Sequence, residues 1–344
     1  MLRVLLAGYG YGGRIIHAPL IAAAGLTVAG IVSSRRDEIA AAWPDAAVFP
    51  DLATALNHGG FDLVVICTPN DTHAELAHRA LDAGLHLVID KPFAVDSAEA
   101  QAIADHARRV GRIVTAFQNR RWDGHILTAR KLLGEQAFGR ISDVTLAYDR
   151  LRLVNPARWG DNNRRGSGIW LNLGSHLVDQ AVHLFGKPQT IMADIFAQRP
   201  HAVVDDSFHV ILGYEAFRVT LRACMTTPAP SPVIAIHGSA GSFVKYGEDT
   251  QEAMLKAGRL PGDLGWGVDP VPARFSSADG EIVGEARDIA SGPGDYPAFY
   301  TGMAAAIHHS APPPVAIEDS LLVQHLLDLG FASARDGRRL EVRA

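Results

Sequence analysis

The chain has 344 residues, enough for two domains that each bury a core of their own. Its 32 lysines and arginines against 37 aspartates and glutamates give a formal charge of −5 with no basic block, which argues against nucleic acid or an anionic membrane as a partner. The apolar runs are interrupted before the roughly 18 residues that a membrane span needs, and the N-terminal run is too short for a signal peptide. Cys67 and Cys224 lie in apolar runs, which excludes a disulfide framework. The composition therefore predicts a soluble cytoplasmic protein.

A glycine-rich turn follows the first predicted strand, residues 3–7, and reads Gly8-Tyr9-Gly10-Tyr11-Gly12-Gly13. Gly8, Gly10 and Gly13 match G-x-G-x-x-G, the pattern that lets a backbone approach a diphosphate closely. A helix predicted over residues 14–24 would place its amino end at the phosphates. The strand before and the helix after predict a dinucleotide site at this turn, and a purely structural turn is the alternative.

The second predicted strand, residues 26–32, ends in Ser33-Ser34-Arg35-Arg36. An NAD site usually has an acid here for the ribose 2′-hydroxyl, yet the first acid is Asp37. Two hydroxyls and two guanidinium groups would suit a 2′-phosphate. The segment therefore favours NADP over NAD, with an ordinary solvated helix start as the alternative.

Strands predicted over residues 62–67, 86–90 and 113–117 alternate with two further helices. One helix runs to about Ala83, and the other extends from Asp96, with Glu99 three residues on, to Val110. Gly84 and Gly111 supply the helix stops. This rhythm predicts an α/β domain over residues 1–118, a doubly wound parallel sheet with right-handed crossovers.

Asp90-Lys91-Pro92 directly follows the apolar run of residues 85–89. Open α/β sheets bind ligands at the carboxyl ends of such buried strands. Lys91 would therefore lie where a cofactor and a substrate could meet, and an ordinary surface lysine is the alternative.

The rhythm changes after Phe117. Helices are predicted over residues 123–133, 169–185, 297–309 and 318–334, and strands over 141–153, 190–198, 207–214, 217–225, 233–237 and 242–246. Hairpins are predicted at Gly238-Ser239-Ala240-Gly241 and Asp279-Gly280, and a long loop over residues 259–272. Consecutive strands predict an α+β domain over residues 119–344 with a large, mostly antiparallel open sheet. The C-terminal helix is expected to pack back on the first domain.

The helix predicted over residues 169–185 is apolar nearly all round, yet Asn172, His176, Asp179 and His183 stack on one face. Unpaired polar groups inside a protein cost roughly 1–3 kcal/mol each, so this stripe needs partners. We interpret Asp179 and His183 as a satisfied core network. His176, near the helix start, is the better site candidate because a histidine can pass a proton in the working pH range. No metal is predicted.

These residues together resemble the Gfo/Idh/MocA oxidoreductases over essentially the whole length. The resemblance is carried by Gly8-Tyr9-Gly10, Thr68-Pro69-Asn70-Asp71-Thr72-His73, Asp90-Lys91-Pro92, where Asp replaces the family's usual Glu, and Gly174-x-His176-x-x-Asp179. Three more segments look most like the scyllo-inositol dehydrogenase branch, which includes NADP-dependent members: Asn119-Arg120-Arg121-Trp122-Asp123, Ser167-Gly168-Ile169-Trp170 and the run from His237 to Phe243.

The resemblance implies roles for individual residues. Lys91 would contact both the nicotinamide ribose and the substrate hydroxyl. Its neighbours Asp90 and Pro92 would also belong to the cofactor site, and the peptide bond before Pro92 is often cis in the family. His176 would be the acid/base on the hydroxyl that is oxidised. Further cofactor contacts would come from Tyr9, Tyr11, Thr68, Pro69, Asn70 and His73, and polyol contacts from Arg121, Trp122, Arg158 and Trp159. Asn172 departs from the family, which commonly has Asp there, and an amide does not ionise in this range.

The sequence thus predicts an NADP-dependent, or else NAD-dependent, dehydrogenase of a cyclic polyol or sugar, forming a homodimer or homotetramer. Two alternatives stay open. One is a non-catalytic sensor that keeps the dinucleotide site, and the other is a sugar oxidoreductase with a tightly held cofactor.

Overall fold

The computed structural model describes residues 1–155, 159–229 and 231–343, except for the side chain of Trp159. The chain forms two compact units. Unit 1 consists of Met1–Asn119, Gln251–Trp266 and Asp295–Leu321, and unit 2 of Arg120–Thr250, Gly267–Gly294 and Leu322–Ala344. Two segments from late in the sequence therefore belong to the unit that holds the N-terminus.

Unit 1 contains a six-stranded sheet in the order β3-β2-β1-β4-β5-β6, with parallel neighbours throughout. Its strands are β1 (Arg3–Ala7), β2 (Thr27–Val32), β3 (Ala47–Phe49), β4 (Leu63–Ile66), β5 (His86–Ile89) and β6 (Val114–Ala116). All four residues of β4 are fully buried, as expected for a parallel strand covered on both faces. The doubly wound parallel sheet is confirmed, and the strand order reverses between β1 and β4, where such sheets bind dinucleotides.

Unit 2 contains a ten-stranded, mostly antiparallel sheet, as predicted, in the order β14-β13-β12-β11-β7-β10-β9-β8-β16 with β15 paired to β13. Its strands are β7 (Ile141–Ala147), β8 (Thr190–Phe196), β9 (Ser207–Gly213), β10 (Arg218–Cys224), β11 (Ile234–Gly238), β12 (Gly241–Lys245), β13 (Ala273–Asp279), β14 (Ile282–Val283), β15 (Arg287–Ile289) and β16 (Leu340–Glu341). Among the described strands of unit 2, only β7 and β10 pair in parallel.

The helices are α1 (Ala18–Ala23), α2 (Arg36–Ala42), α3 (Leu52–His58), α4 (His73–Asp82), α5 (Ser97–Val110), α6 (Gly124–Gly134), α7 (Ser175–Phe185), α8 (Gln251–Lys256), α9 (Pro297–His309) and α10 (Ile317–Asp336). Asp96 caps α5 by accepting a hydrogen bond from the Glu99 amide at 2.9 Å, and Gly111 ends it with φ +64°. Ile317 and Leu321 of α10 pack on the core of unit 1, while Leu326 and Leu327 belong to the core of unit 2. No helix in the described part of the chain is long and apolar enough to cross a membrane.

Four features differ from the sequence expectations. The helix predicted over residues 14–24 begins with a π-helical turn, Gly12–His17, and the one predicted over 169–185 begins with another, Trp170–Gly174. The strand predicted over residues 141–153 ends at Ala147, because beyond it only Leu151 finds a bridge partner, Thr226. Elements α2, β3, α3 and α8 were not predicted, since each is short and carries little apolar periodicity.

Candidate functional site

The glycine turn, Gly8–Gly13, is shaped by backbone contacts that leave no room for side chains. A Cβ on Gly13 would lie 2.2 Å from the carbonyl oxygen of Gly8, and one on Gly8, whose φ is +110°, would lie 2.8 Å from the carbonyl oxygen of Cys67. A Cβ on Gly10, in contrast, would meet no atom within 4 Å. The turn is thus closely packed at Gly8 and Gly13 and open at Gly10, which fits the close approach of a dinucleotide diphosphate.

The two tyrosines of the glycine turn have different surroundings within unit 1. Tyr9 is buried, and its hydroxyl accepts a hydrogen bond from Trp43 Nε1 at 3.0 Å. Tyr11 is half exposed, donates to Glu252 Oε1 at 2.8 Å and lies beneath the ammonium of Lys256, 5.5 Å from its ring centre. Glu252 and Lys256 belong to α8, so a late segment of the chain lines the turn, and no sequence signal indicated this.

Ser33, Ser34, Arg35 and Arg36 follow β2, as predicted, and an acid joins them that the sequence analysis missed. Glu38 lies 3.3 Å from Arg35 Nη1 and 3.2 Å from Arg14 Nη1. Ser33 Oγ accepts a hydrogen bond from the Arg35 amide at 3.2 Å. One carboxylate therefore holds two guanidinium groups close to the end of β2.

His73 joins the loop after β4 to the loop after β5. Its Nε2 lies 3.1 Å from the carbonyl oxygen of Thr68 and its Nδ1 lies 3.1 Å from that of Pro92. Burial lowers the pKa of His73, so the ring is neutral and donates to only one of these carbonyls at a time. Nearby, the hydroxyls of Thr68 and Thr72 lie 2.6 Å apart, and the latter donates to the Pro69 carbonyl at 2.7 Å, which fixes the loop that includes Asn70.

Lys91 lies at the carboxyl end of β5, and the Lys91–Pro92 bond is cis. Its backbone amide donates to Asp90 Oδ1 at 2.8 Å. Partial burial acts to raise the pKa of Asp90, but the hydrogen bond and charge of His17, with Lys91 and His73, lower it overall. Asp90 is therefore an anion at neutral pH, directly before the candidate lysine.

In unit 2, His176 lies in the first turn of α7 and is 5% exposed. Asn172 lies in the preceding π-helical turn and is exposed, beside Gly160 and Gly168 in a shallow recess. Gly174 shapes this turn, because a Cβ there would lie 2.3 Å from the buried ring of Trp170. Asn172 therefore lies in a π-helical turn, and the other three residues of the predicted polar stripe lie in α7.

Asp179 and Arg121 form a buried, bidentate ion pair within unit 2. Arg121 Nε lies 2.9 Å from Asp179 Oδ2, and its Nη2 lies 2.6 Å from Oδ1. The two side chains are 5% and 2% exposed. Asp179 therefore belongs to a core network, and the network includes a residue that the sequence analysis assigned to substrate.

The remaining candidates are Trp122, Arg158 and Trp159, together with His183 of the polar stripe. Trp122 is half-buried at the end of the 3₁₀ turn Asn119–Trp122. Trp159 begins a 3₁₀ turn, Trp159–Asp161, and Arg158 lies outside the described residues. Burial, followed by the charges of Arg121 and Arg130, lowers the pKa of His183 to about 3, so it is neutral at working pH. Within the described ranges, no three histidine, cysteine or acidic side chains are grouped to hold a metal.

Two family models match the chain. One, described as an oxidoreductase family with an NAD-binding Rossmann fold, matches residues 2–118, and the other, described as the C-terminal alpha/beta domain of an oxidoreductase family, matches residues 130–342. YdgJ of Escherichia coli (strain K12), named an oxidoreductase, is 41% identical, covering 97% of this chain and 96% of its own. IolW of Bacillus subtilis (strain 168), named scyllo-inositol 2-dehydrogenase (NADP(+)), is 33% identical, covering 98% and 95%.

Solved structures give the same result. The structure of YPO2259 from Yersinia pestis superimposes with a TM-score of 0.94 at 39% identity, covering 100% of this chain and 97% of its own. That of yvaA from Bacillus subtilis gives a TM-score of 0.95 at 32% identity, covering 99% and 98%. Together with the glycine turn and the sheet order, these matches establish that the chain belongs to the Gfo/Idh/MocA family of NAD(P)-binding oxidoreductases.

Proposed function

We propose that the protein is an NADP-linked dehydrogenase that oxidises a secondary hydroxyl of a cyclic polyol or sugar, or reduces the corresponding ketone. The observation that carries the proposal is in unit 1, where the glycine turn and Lys91 both follow strands of one parallel sheet at their carboxyl ends. The proposal is also supported by the activities for which IolW and D-glucoside 3-dehydrogenase of Escherichia coli (strain K12) are named, the latter being 27% identical over 54% of this chain.

The glycine turn would hold a nicotinamide cofactor, which would supply the hydride chemistry when bound. Lys91, as a cation, polarises the oxygen of the developing ketone, and His176 takes the hydroxyl proton or returns it. Asn172 contributes hydrogen bonds alone, because its amide does not ionise. In this proposal catalysis depends on one lysine and one histidine, and Asn172 occupies the position at which the family resemblance implies an aspartate.

The NADP preference is proposed from the charges after β2. Ser33, Arg35 and Arg14 supply a hydroxyl and two guanidinium groups, a set that suits a 2′-phosphate. Glu38 occupies both guanidinium groups in this structure, so the phosphate would compete with a carboxylate. The preference for NADP is then a balance between these two anions.

Self-association through the open sheet of unit 2 is part of the proposal. The register aligns one row of side chains across six strands: Met192, Ile211, Thr220, Thr145, Ala235 and Val244. Met192 is 41% exposed, and Phe196 on the same strand is 42% exposed. Small and apolar side chains on a sheet face are suited to packing against a second copy of the chain.

The test is reduced-nicotinamide absorbance with a panel of inositols and aldoses, with NADP and NAD in parallel. Turnover of an inositol or an aldose with NADP is the expected result. Lys91→Ala and His176→Ala should each lose about 10²- to 10⁴-fold in turnover, the range for a group that moves a proton. His183→Ala is the matched control on the same helix, and it should keep its turnover and mainly alter stability, because a ring with a pKa of about 3 is neutral at working pH.

Each other outcome points elsewhere. Turnover with NAD alone would contradict the reading of Ser33 to Arg36 but not the reaction. Tight cofactor binding with no turnover of any panel member would favour the sensor, and Asn172→Asp would then be the first change to make. Cofactor released only on denaturation would point to a tightly held cofactor recycled between two sugars.

A further inference from the structure

A chain of three side chains lies directly behind Lys91 in unit 1. The hydroxyl of Tyr300 lies 2.5 Å from His17 Nδ1, and His17 Nε2 lies 3.6 Å from Asp90 Oδ2. Asp90 Oδ1 accepts the Lys91 amide at 2.8 Å. The three residues come from distant parts of the sequence, namely the π-helical turn after the glycine turn, the loop after β5, and α9.

This chain is enclosed on the side away from Asp90. His17 and Tyr300 are fully buried, whereas a quarter of the Asp90 side chain is exposed. The centre of the Phe117 ring lies 4.3 Å from the centre of the His17 ring and 5.7 Å from that of the Tyr300 ring. The imidazole is therefore held in place by aromatic packing, and only the carboxylate end of the chain opens outward.

The Asp90 carboxylate favours an N–H on the ring nitrogen of His17 that faces it, Nε2, across 3.6 Å. In the tautomer with its proton on Nε2, Nδ1 accepts a hydrogen bond from the Tyr300 hydroxyl at 2.5 Å. Burial, followed by Cys67 and Asp90, raises the pKa of Tyr300 well above its usual range, so that hydroxyl keeps its proton.

The same carboxylate adjoins the glycine turn. A Cβ on Gly12 would lie 3.1 Å from Asp90 Oδ2, so this oxygen lies against the turn. Asp90 thus contacts the backbone of the candidate lysine through one oxygen, and faces His17 and the glycine turn with the other.

We propose that Tyr300 and His17 are positioning residues for Lys91, which fix the Asp90 carboxylate and through it the backbone that carries the lysine. The histidine orients the carboxylate, and the tyrosine fixes which imidazole nitrogen holds the proton, as an outer hydrogen-bond partner does in many active sites. Neither residue is assigned to touch cofactor or substrate. The kinetic part of the proposal rests on the proposed function, whereas the structural part does not.

The structural part is tested by amide hydrogen exchange of the ligand-free protein, followed by NMR. The measured quantity is the exchange rate of the Lys91 amide divided by that of the Asp90 amide. The Asp90 amide donates to the Ile66 carbonyl at 2.8 Å, so it reports the sheet independently of the carboxylate. In Tyr300→Phe and in His17→Asn this ratio should rise about fivefold or more, the effect of weakening one hydrogen bond.

Thr115→Val is the matched control. It removes the buried hydrogen bond from Thr115 Oγ1 to the Val315 carbonyl, at 2.8 Å in the same unit, without touching Asp90. It should lower stability and leave the ratio unchanged. A ratio that stays at the wild-type value in both Tyr300→Phe and His17→Asn would overturn the proposal and leave these residues a purely structural role. If Tyr300→Phe does not fold, His17→Asn decides alone.

The kinetic part is tested by combining variants. Tyr300→Phe should lower kcat about tenfold with little change in the KM for cofactor, and should have no further effect in a Lys91→Ala background. Additive losses would mean that Tyr300 does not act through Lys91. If the wild type turns over nothing on the panel, the proposed reaction fails, and the exchange ratio still decides whether the positioning is correct.

Discussion

Asp90 in unit 1 and Asp179 in unit 2 each lie within three residues of a candidate catalytic side chain, yet they are held differently. Asp179 is enclosed and bound by two nitrogens of Arg121 at 2.6 and 2.9 Å. Asp90 is a quarter exposed, accepts one backbone amide, and faces an imidazole at 3.6 Å. The first carboxylate is paired with a permanent cation, and the second faces a backbone amide and an imidazole.

The different surroundings of Asp90 and Asp179 determine how much stability is lost when each carboxylate is changed. Removing one member of an enclosed ion pair leaves a charge in a place from which water is excluded, so the loss of one partner is strongly destabilising. Among the described residues, Asp90 has no buried permanent cation bound to it in this way, so changing its carboxylate to an amide should cost less. The two carboxylates should therefore differ in how much stability each one contributes.

The largest expected effect is that of Asp179→Asn. The variant leaves the Arg121 guanidinium buried without the carboxylate that binds it, and should lower the free energy of unfolding by about 3–5 kcal/mol. Urea unfolding followed by circular dichroism measures this.

Asp90→Asn is the control, since it makes the same chemical change. The amide keeps an oxygen for the Lys91 N–H, so the loss should be about 1 kcal/mol. Equal losses in the two variants would contradict the distinction between a carboxylate in an enclosed ion pair and one that faces an amide and an imidazole.

A second prediction concerns how the stability of the fold depends on pH through His125, a buried histidine of unit 2. Burial, followed by Lys245 and Arg120, lowers the pKa of His125 to about 3, and its side chain is 1% exposed. A group whose folded pKa is depressed stabilises the fold above its unfolded pKa of about 6.5 and loses that contribution as the pH falls toward 3. By pH 5 the loss from this residue should be about 2 kcal/mol.

The measurement is urea unfolding at pH 7 and pH 5 for the wild type and His125→Phe. The variant should be less sensitive to acid by about that amount. Asp90 should contribute nothing in this window, because its depressed pKa matters only below its unfolded value of about 4. An unchanged acid sensitivity in His125→Phe would show that the ring is protonated in the folded protein.

The smallest effect is expected at the exposed pairs of unit 1. Glu38→Gln releases Arg14 and Arg35, whose pairs with Glu38 are exposed and worth about 0.2–1 kcal/mol each. NADP should therefore bind about two- to fivefold more tightly, while NAD affinity stays nearly constant. Fluorescence titration with both reduced cofactors measures this, and Glu75→Gln, which breaks the exposed pair with Arg79, is the control. Tighter NAD but not NADP binding would reverse the proposed preference.

What the sequence predicted well was local. The glycine turn, the Asp96 cap and the hairpin at Gly238 to Gly241 each depend on residues a few positions apart, and all are present. The strand predicted over residues 141–153 was too long because alternation continues past Ala147, where separate backbone hydrogen bonds remain, such as Arg150 N to the Cys224 carbonyl at 2.8 Å, without a regular strand. A pattern can show that a segment is suited to a sheet without showing where its regular pairing ends.

What could not be predicted depends on contacts between distant residues. Arg121 and Asp179 are 58 positions apart, and His17 and Tyr300 are 283 apart. Arginine is a residue type that often binds ligands, and only the structure shows that Arg121 is bound by Asp179. His17 and Tyr300 carry no motif, so their proximity to Asp90 could not be inferred from spacing.

The division of unit 1 into separate stretches of sequence has a consequence for how the protein is made. All six strands of its sheet have been synthesised once Ala116 has left the ribosome. The residues that cover Phe117, namely Phe299 and Tyr300, and the carbonyl of Val315 that binds Thr115, are translated much later. During that interval Phe117 lacks the Phe299 and Tyr300 rings that pack on it, and apolar surface exposed in this way during synthesis favours aggregation.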